Sequence, residues 1–430
     1  MTAYRFETFP VAVDADGTPD DRTAAWYRAV RLGFNFPDPT AEELASSAAR
    51  GVKDGRVATA VYADKAPEHA VDTAIPVATF VHFPKKMHVG GGNLMPAHLI
   101  SSVTVRPTHR RRGLLRSMMT ANLQDAKDSG FPMAVLTATE GGIYSRFGFG
   151  AATFQRKIEV DTSARFRMAV EPDRRVEICP ARELEWIAPE VFGKFLLTAP
   201  GAIERQEAYT QIAAGLWDPE TGKEDKAVRA ALHYTADGEV DGFVAYKTPK
   251  GWNEKGNVVV VDFVAISDEA YAALWSFLAS IDLTTTVTYD EAAFESPLPW
   301  LLTDRRLVKT VSEKDGMWLR VLDVVDALDS RPWYVPGDLV LKVEDDMGYA
   351  AGTFKVRADG SGTGRTEKCT DSVAPDLTLD VSQLGSLYLG GVDPVILARA
   401  GRITENTEGA AKKARAMFGL ERLPYSPNDF

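Results

Sequence analysis

Cysteine is almost absent from the sequence, which has only Cys179 and Cys369 among its 430 residues. The two lie far apart and form no CxxC pair, so neither a disulfide framework nor a zinc site of the usual spacing is predicted. Long apolar runs are missing too. The longest, Val258 to Ile266, is interrupted by Asp262 and is far shorter than the ~20 residues of a membrane span. Met1 to Pro10 lacks the features of a signal peptide, so we expect a cytoplasmic protein without a membrane partner.

An excess of positive charge is also missing. The chain has 49 basic and 60 acidic residues, which gives a net charge of -11. A nucleic-acid partner is therefore not expected, because such proteins need a basic face to neutralise phosphates. An acidic surface suits a cationic partner, but it equally keeps many proteins soluble, so both interpretations stay open.

Motifs for metal ions and nucleotides are absent as well. The six histidines have no ligand spacing, and neither HExxH nor GxxxxGK[ST] occurs. The glycine-rich run GSGTG at 360–364 does not match GxGxxG and lies between strand-like segments. We interpret it as a hairpin turn, and we predict no metal.

The length of the chain favours about three domains at ~150 residues each. Residues 57–138 alternate strand-like and helix-like patterns, and Thr40 with Glu43 forms a capping box. The expected elements here are strands Val57–Tyr62, Pro76–Phe83 and Leu99–Val105, a loop entering a helix over Arg110–Asp128, and strand Met133–Ala138. A strand, a helix and a strand within ~40 residues form the βαβ pattern of an α/β layer. The middle third is mixed α/β, and the last third has strands followed by helices.

The segment Val103–Arg116, VTVRPTHRRRGLLR, predicts a strand followed by an arginine-rich turn that enters a helix at Gly113. Free N–H groups and the helix dipole at such an N-terminus favour phosphate. Glycine allows close backbone approach, and arginines add charge-assisted hydrogen bonds. The alternative is a solvated basic turn that begins a surface helix.

The segment Ala138–Phe149, ATEGGIYSRFGF, supplies the context. Strand Met133–Ala138 should lie beside Leu99–Val105, and if the two strands part at their ends, a thioester arm fits between them. Tyr144 then lies just beyond this opening, on a short helix expected from Glu140 to Arg146. A phenol with pKa near ~10 is protonated at pH 7 and can donate a proton to a departing thiolate. The alternative is an ordinary core tyrosine.

Together these segments resemble the GNAT superfamily of N-acetyltransferases. Arg110 to Gly113 is similar to its R/Q-x-x-G-x-G/A turn, with Leu115 in place of the last small residue, and Tyr144 to Phe149 is similar to its Y-x-x-x-G-F element. With LPWLLTDRRL, GMWLR and LGSLYLGG further along, the chain resembles the enhanced intracellular survival (Eis) family of bacterial N-acetyltransferases.

The resemblance implies α/β and α+β folds, with two GNAT-like domains over 1–152 and 153–305 and a sterol-carrier-protein-like domain over 306–430. Only the first would hold the acyl-CoA site. It further implies a homohexamer that uses acetyl-CoA as co-substrate, without a metal, to acetylate amines of aminoglycosides, polyamines or lysines.

The same resemblance implies roles for particular residues. Tyr144 would be the proton donor, and the carboxylate of the last residue of the sequence, Phe430, the proton acceptor. The implied acetyl-CoA contacts are Val103, Thr104, Val105, Arg111, Arg112, Gly113, Leu114, Leu115, Arg116, Thr139 and Glu140.

The remaining candidates carry weaker functional signals. His109 is expected to position the arginine turn. Phe34, Phe36 and Asp38 could line an amine pocket, but a packing role is preferred. The run Leu384–Leu389 is expected to form core and not a lipid groove. The competing function is an acyl-CoA- or lipid-binding protein without transfer activity.

Overall fold

The computed structural model describes residues 3–248, 256–370 and 372–430. Its strands form two sheets of seven strands and one sheet of five. The two larger sheets have matching strand orders, which confirms the prediction of two related domains and a distinct third.

Residues 3–152 contribute six strands and three helices. They are β1 Tyr4–Pro10, α1 Asp21–Gly33, α2 Ala41–Lys53, β2 Val57–Ala63, β3 Ala78–His88, β4 Leu94–Val105, α3 Leu114–Asp128, β5 Met133–Thr137 and β6 Gly150–Ala151.

The next part of the chain, described over 153–248 and 256–323, builds most of the second sheet. Its elements are β7 Phe154–Asp161, β8 Val176–Cys179, α4 Leu184–Leu196, α5 Glu207–Ala213, β9 Arg229–Tyr234, β10 Val240–Lys247, β11 Gly256–Ala265, α6 Asp268–Ala279, β12 Thr284–Ala293, α7 Leu298–Leu301, β13 Val308–Asp315 and β14 Met317–Val321.

The last part of the chain, described over 324–370 and 372–430, builds the third sheet. Its elements are α8 Val324–Ser330, β15 Gly337–Glu344, β16 Gly352–Ala358, β17 Gly364–Cys369, β18 Leu377–Asp380, α9 Val381–Leu387, α10 Pro394–Arg399, β19 Ile403–Glu405 and α11 Ala410–Phe418. The run at 360–364 joins the antiparallel strands β16 and β17, which confirms the predicted hairpin.

The two large sheets exchange a strand. The first has the order β1-β2-β3-β4-β5-β14-β6 and the second the order β8-β9-β10-β11-β12-β7-β13. Strand β7 follows β6 in the chain but pairs with β12 and β13, whereas β14 follows β13 but pairs with β5 and β6. Where the two connections cross, Met317 N donates to Thr153 Oγ1 at 2.8 Å and Gly316 N donates to Thr153 O at 2.9 Å.

This exchange changes the predicted domain limits. The predicted third domain, 306–430, includes β13 and β14, which lie in the second and first sheets. The separate third unit begins at α8, because the segment before it completes the two larger sheets by backbone pairing.

The first sheet is covered on both faces. Met119 and Leu123 of α3 pack with Phe80 and Leu136 on one face. On the other face, Leu99 belongs to one continuous core with side chains of the third domain, among them Leu384, Leu387, Tyr388 and Phe418. The predicted core role of Leu384–Leu389 is therefore confirmed. The third domain shares this face of the sheet with α1 and α2, which pack against β2 and β3.

Two local expectations had different outcomes. Thr40 and Glu43 form the predicted capping box at the start of α2. The packing role expected for Phe34 and Phe36 is wrong, since 39% and 49% of their surfaces are exposed. Both residues follow the end of α1 in a surface connection, where Phe36 lies 5.4 Å from the Arg31 guanidinium.

Candidate active site

The centre of the site is an opening between β4 and β5. These strands are parallel neighbours, and their pairing ends at Ile100 and Leu136, although β4 continues to Val105. In β4 the backbone of Ser102 has φ of 50°, and the register with β3 shifts at this point. Such a bulge redirects a strand, and here it lies where β4 leaves its neighbour. The backbone edges of two strands are thereby left open to a ligand, as the sequence predicted.

The side chains of residues 103–105 pack inside the domain and do not face the opening. Val103 and Val105 pack against the core beneath α3. Thr104 is buried, with its hydroxyl 2.7 Å from that of Thr79. A ligand in the opening therefore meets the backbone of these residues.

The N-terminus of α3 has backbone N–H groups that no side chain caps. Its N-cap residue is Gly113, with φ of 79° and no side chain to bond the first turn. Within the described ranges, the backbone N–H groups of Leu114, Leu115 and Arg116 have no hydrogen-bond acceptor. A side chain added at Gly113 would meet no atom within 4 Å. This end of the helix therefore presents positive potential and three donors to open space, which suits an anion.

The arginines of the turn divide into two groups. Arg112 donates to the Tyr4 hydroxyl at 2.6 Å and to Thr108 O at 3.2 Å, so it holds the turn together. Tyr4 also lies 3.0 Å from Nδ1 of His109, which agrees with a positional role for this histidine. The side chains of Arg111 and Arg116 are exposed and form no hydrogen bond or ion pair with other described residues. Their guanidinium groups are the ones left to face an anion.

Tyr144 lies in the turn that follows β5. Only 8% of its surface is exposed, and its ring packs edge-on against Phe149 with centroids 6.4 Å apart. Burial, and secondarily the charge of Glu140, raises the pKa of the Tyr144 phenol above its ordinary value. The predicted short helix from Glu140 is wrong: the segment turns irregularly and ends in one 3₁₀ turn, Ser145–Phe147. Gly141 and Gly142 within it weaken helix formation.

The last residue of the sequence lies against β5. Phe430 N donates to Thr137 Oγ1 at 3.2 Å, and the same hydroxyl donates to Phe430 O at 2.5 Å. The Phe430 ring packs edge-on against Phe83 of β3, with centroids 6.2 Å apart. Thr137 ends β5 just beyond the last β4 pair, so the tail of the chain reaches the opening itself.

Several of these residues carry no sequence signal for the site. Thr137 is an ordinary strand residue, and Ser102 is one of several polar residues at the end of β4. Tyr209, whose hydroxyl accepts a hydrogen bond from Asp429 N at 2.7 Å, lies in a different domain from the opening. Only the folded chain brings them together.

Family models match all three parts of the chain. Acetyltransferase (GNAT) domain models match residues 16–152 and 201–321, and a sterol carrier protein domain model matches 324–427. The N-acetyltransferase Eis of Mycobacterium tuberculosis is 30% identical over 354 residues, which are 80% of this chain and 83% of that protein. The chain belongs to the Eis family of N-acetyltransferases. It is accordingly an acetyltransferase enzyme with an acyl-CoA co-substrate, not a binding protein without transfer activity.

A second sequence relative and a crystal structure support this assignment. An uncharacterized N-acetyltransferase of Streptomyces griseus is 35% identical over 426 residues, covering 96% of this chain and 98% of that protein. The crystal structure of Eis1 from Mycobacterium abscessus has a TM-score of 0.80 and 25% identity, and the match covers 99% of this chain and all of that one.

Within the described ranges, none of the helices combines the length and apolar character needed to cross a membrane. The same part of the chain contains no cluster of three or more His, Cys, Asp or Glu side chains that could hold a metal ion.

Proposed function

We propose that the protein transfers the acetyl group of acetyl-CoA to a primary amine in the opening between β4 and β5. The observation that carries this proposal is the convergence of three features at one opening. The parted strands offer backbone edges, the uncapped start of α3 offers anion donors, and the chain's last residue lies on Thr137.

In this proposal the CoA diphosphate binds at the arginine turn. The N–H groups of Leu114, Leu115 and Arg116 and the guanidinium of Arg111 donate to it, while Gly113 leaves room for it. Arg112 contributes by shaping the turn. The pantetheine arm follows the backbone of Val103, Thr104 and Val105, and the turn carrying Thr139 and Glu140 borders it on the β5 side.

The transfer itself needs no covalent enzyme intermediate. The lone pair of the amine attacks the thioester carbonyl carbon, a C–N bond forms, and the carbonyl oxygen becomes an oxyanion. Backbone N–H groups on the open edge of β4 polarise this oxygen. Collapse of the intermediate breaks the C–S bond, so that one proton must leave the nitrogen and one must reach the sulfur.

Tyr144 is the proposed proton donor to the CoA thiolate. With an ordinary pKa of ~10 its phenol is protonated at pH 7, as a general acid requires, and burial raises this pKa further. The C-terminal carboxylate of Phe430 is the proposed proton acceptor. With an ordinary pKa of ~3.5 it is a weak base, but the ammonium formed after attack is far more acidic than a free alkylammonium, and the carboxylate accepts its proton directly or through water.

The proposed acceptor class is the one that the family resemblance implies, and the charge of the chain is compatible with it. Cationic amines such as aminoglycosides, polyamines or lysine side chains suit a protein of net charge -11. Asp429 lies beside the proposed base, but Lys314 pairs with it at 3.2 Å and offsets its charge. We also propose a cytoplasmic homohexamer, which sedimentation of the purified protein and cell fractionation would test.

The experiment that tests the function measures CoA thiol release from acetyl-CoA with a panel of amines. The panel contains an aminoglycoside, a polyamine and a lysine peptide, with a buffer blank as control. We expect amine-dependent thiol release with at least one of them. Bound acetyl-CoA without release for any amine would contradict the proposal.

A further inference from the structure

The second domain repeats the opening of the first. Strands β11 and β12 are parallel neighbours whose pairing ends at Val259 and Thr288, although the strands continue to Ala265 and Ala293. Helix α6 follows β11 as α3 follows β4. The second sheet therefore contains a slot, defined here as the space between β11 beyond Val259 and β12 beyond Thr288.

The slot lacks the features that suit acyl-CoA. Ser267 caps α6, and its hydroxyl accepts from Ala270 N at 3.1 Å. Asp268 and Glu269 occupy the first turn, where their charges oppose a phosphate. The helix that would hold the diphosphate is thus already capped and carries negative charge.

The slot instead receives the tail of the chain. A cavity of ≈ 130 Å³ lies between the two strands, and Leu423, Pro424 and Tyr425 form part of its wall. The Tyr425 hydroxyl donates to the main-chain oxygen of Glu291 at 2.5 Å and lies 3.1 Å from the Tyr289 hydroxyl. Glu291 lies on β12 beyond the last β11 pair and at the irregularity in the pairing of β12 with β7, so its main-chain oxygen is outside both ladders and accepts from Tyr425.

Two more contacts carry the tail from the slot to the active site. Gln155 of β7 donates to Ser426 O at 2.7 Å, and the Tyr209 hydroxyl of α5 accepts from Asp429 N at 2.7 Å. The next residue, Phe430, binds Thr137. The tail is therefore bound at one end in the second domain's slot and at the other end in the opening of the first.

We infer that the second domain acts as a clamp that positions the carboxylate of Phe430, with Tyr425 in the slot as the main positioning residue. This inference rests on the proposed function, in which that carboxylate accepts the amine's proton. It gives the second domain a role in transfer even though its slot is unsuited to acyl-CoA.

The test compares Tyr425→Ala and Tyr425→Phe in the full chain and in a chain lacking Phe430. In the full chain we expect kcat to fall about 10²-fold for Tyr425→Ala, because misplacing a catalytic group by about 1 Å has effects of this size. Tyr425→Phe keeps the ring and loses the hydrogen bonds, so we expect a smaller fall. The KM for acetyl-CoA should not change. In the chain lacking Phe430, neither substitution should lower kcat further.

A second readout is independent of activity. Carboxypeptidase should release Phe430 faster from both Tyr425 variants than from the wild type. The matched control is Tyr246→Ala, a buried tyrosine of the same domain on β10, which should leave kcat and the release rate unchanged.

Different results would contradict the clamp and the proposed role of the Phe430 carboxylate. Wild-type turnover in Tyr425→Ala, or an equal loss with and without Phe430, would overturn the clamp. Full turnover after removal of Phe430 alone would instead overturn the role of the carboxylate.

Discussion

The hydroxyl of Thr137 binds both backbone groups of Phe430: it accepts a hydrogen bond from the N–H at 3.2 Å and donates one to the oxygen at 2.5 Å. Thr137 is the last residue of β5, at the point where β4 has already turned away. Thr137 therefore holds Phe430 directly at the edge of the opening.

Removing this hydroxyl should impair turnover. Thr137→Val keeps the shape of the side chain but loses both hydrogen bonds, so we expect kcat to fall by up to about 10²-fold through misplacement of Phe430. The KM for acetyl-CoA should stay within about twofold. Thr137→Ser restores the hydroxyl and should recover most of kcat. Steady-state kinetics measure all three, and a valine variant with wild-type kcat would contradict the prediction.

Adding a side chain at Gly113 should weaken binding of acetyl-CoA. Gly113→Glu places a carboxylate where the diphosphate is expected, at a backbone position with φ of 79°. We expect the KM for acetyl-CoA to rise at least about tenfold, since one unfavourable charge contact of 1.4 kcal/mol has that effect. The KM for the amine should change far less.

Gly130 provides the matched control for this substitution. It lies at the other end of α3, has φ of 80° and likewise has open space around it. Gly130→Glu therefore introduces the same backbone strain and charge away from the opening. If both variants raised the KM for acetyl-CoA equally, the arginine turn would not be the phosphate site.

Removing the phenol hydroxyl of Tyr144 should slow the chemical step. General acid catalysis contributes roughly 10²–10⁴-fold, so we expect Tyr144→Phe to lower kcat by about this factor while acetyl-CoA binding persists. Because the pKa of this phenol is raised above its ordinary value of 10.0, any alkaline loss of activity due to its ionisation should lie above pH 10. Tyr27→Phe, which removes a buried hydroxyl bonded to Ser47 O at 2.8 Å, serves as the control and should retain kcat. Single-turnover acetylation measures both.

The half-buried carboxyl of Glu291, beneath the tail, should make the stability of the protein depend on pH. Burial raises the pKa of Glu291 from 4.5 to about 7. The positive charge of Lys314 lowers this pKa, whereas the negative charges of Asp290, Asp429 and Asp262 raise it. Since the folded-state pKa is the higher one, the contribution of Glu291 to stability is complete below pH 4.5 and is lost as pH rises through about 7.

Glu291→Gln should remove this dependence. Between pH 4.5 and about 7, the variant should gain stability relative to the wild type by at most about 1.4 kcal/mol per pH unit. Glu177 is an exposed glutamate on β8, and the stability of Glu177→Gln should depend on pH as that of the wild type does. Denaturant unfolding at a series of pH values measures the free energy of unfolding of each variant. If this free energy changed with pH equally in the wild type and in Glu291→Gln, the prediction would be wrong.

The sequence could predict those parts of the site that are contiguous in the chain. The turn at 110–116 and the segment around Tyr144 each combine a strand end, glycines and characteristic side chains within a short window, so local patterns indicate them. The elements around them also follow local signals, such as the capping box at Thr40 and the alternation of β-branched residues in β2.

The rest depends on pairings between distant segments. Strand β14 is a short, mostly apolar segment, and nothing in it indicates that it pairs with β5, whose paired residues lie 180 to 188 positions earlier. Contacts such as Thr137 with Phe430 or Tyr209 with Asp429 join segments that are 293 and 220 residues apart. Backbone pairing and single hydrogen bonds are compatible with many sequences, so they leave no local pattern.

The exchange of β7 and β14 has a consequence for synthesis on the ribosome. The first sheet lacks the strand between β5 and β6 until residues 317–321 have emerged, so the edge of β5 stays open while the whole second domain is translated. At usual elongation rates this interval is on the order of ten seconds or longer, and an unpaired strand edge invites association with other chains. The nascent protein therefore has a prolonged stage in which the edge of β5 is unpaired and open to association.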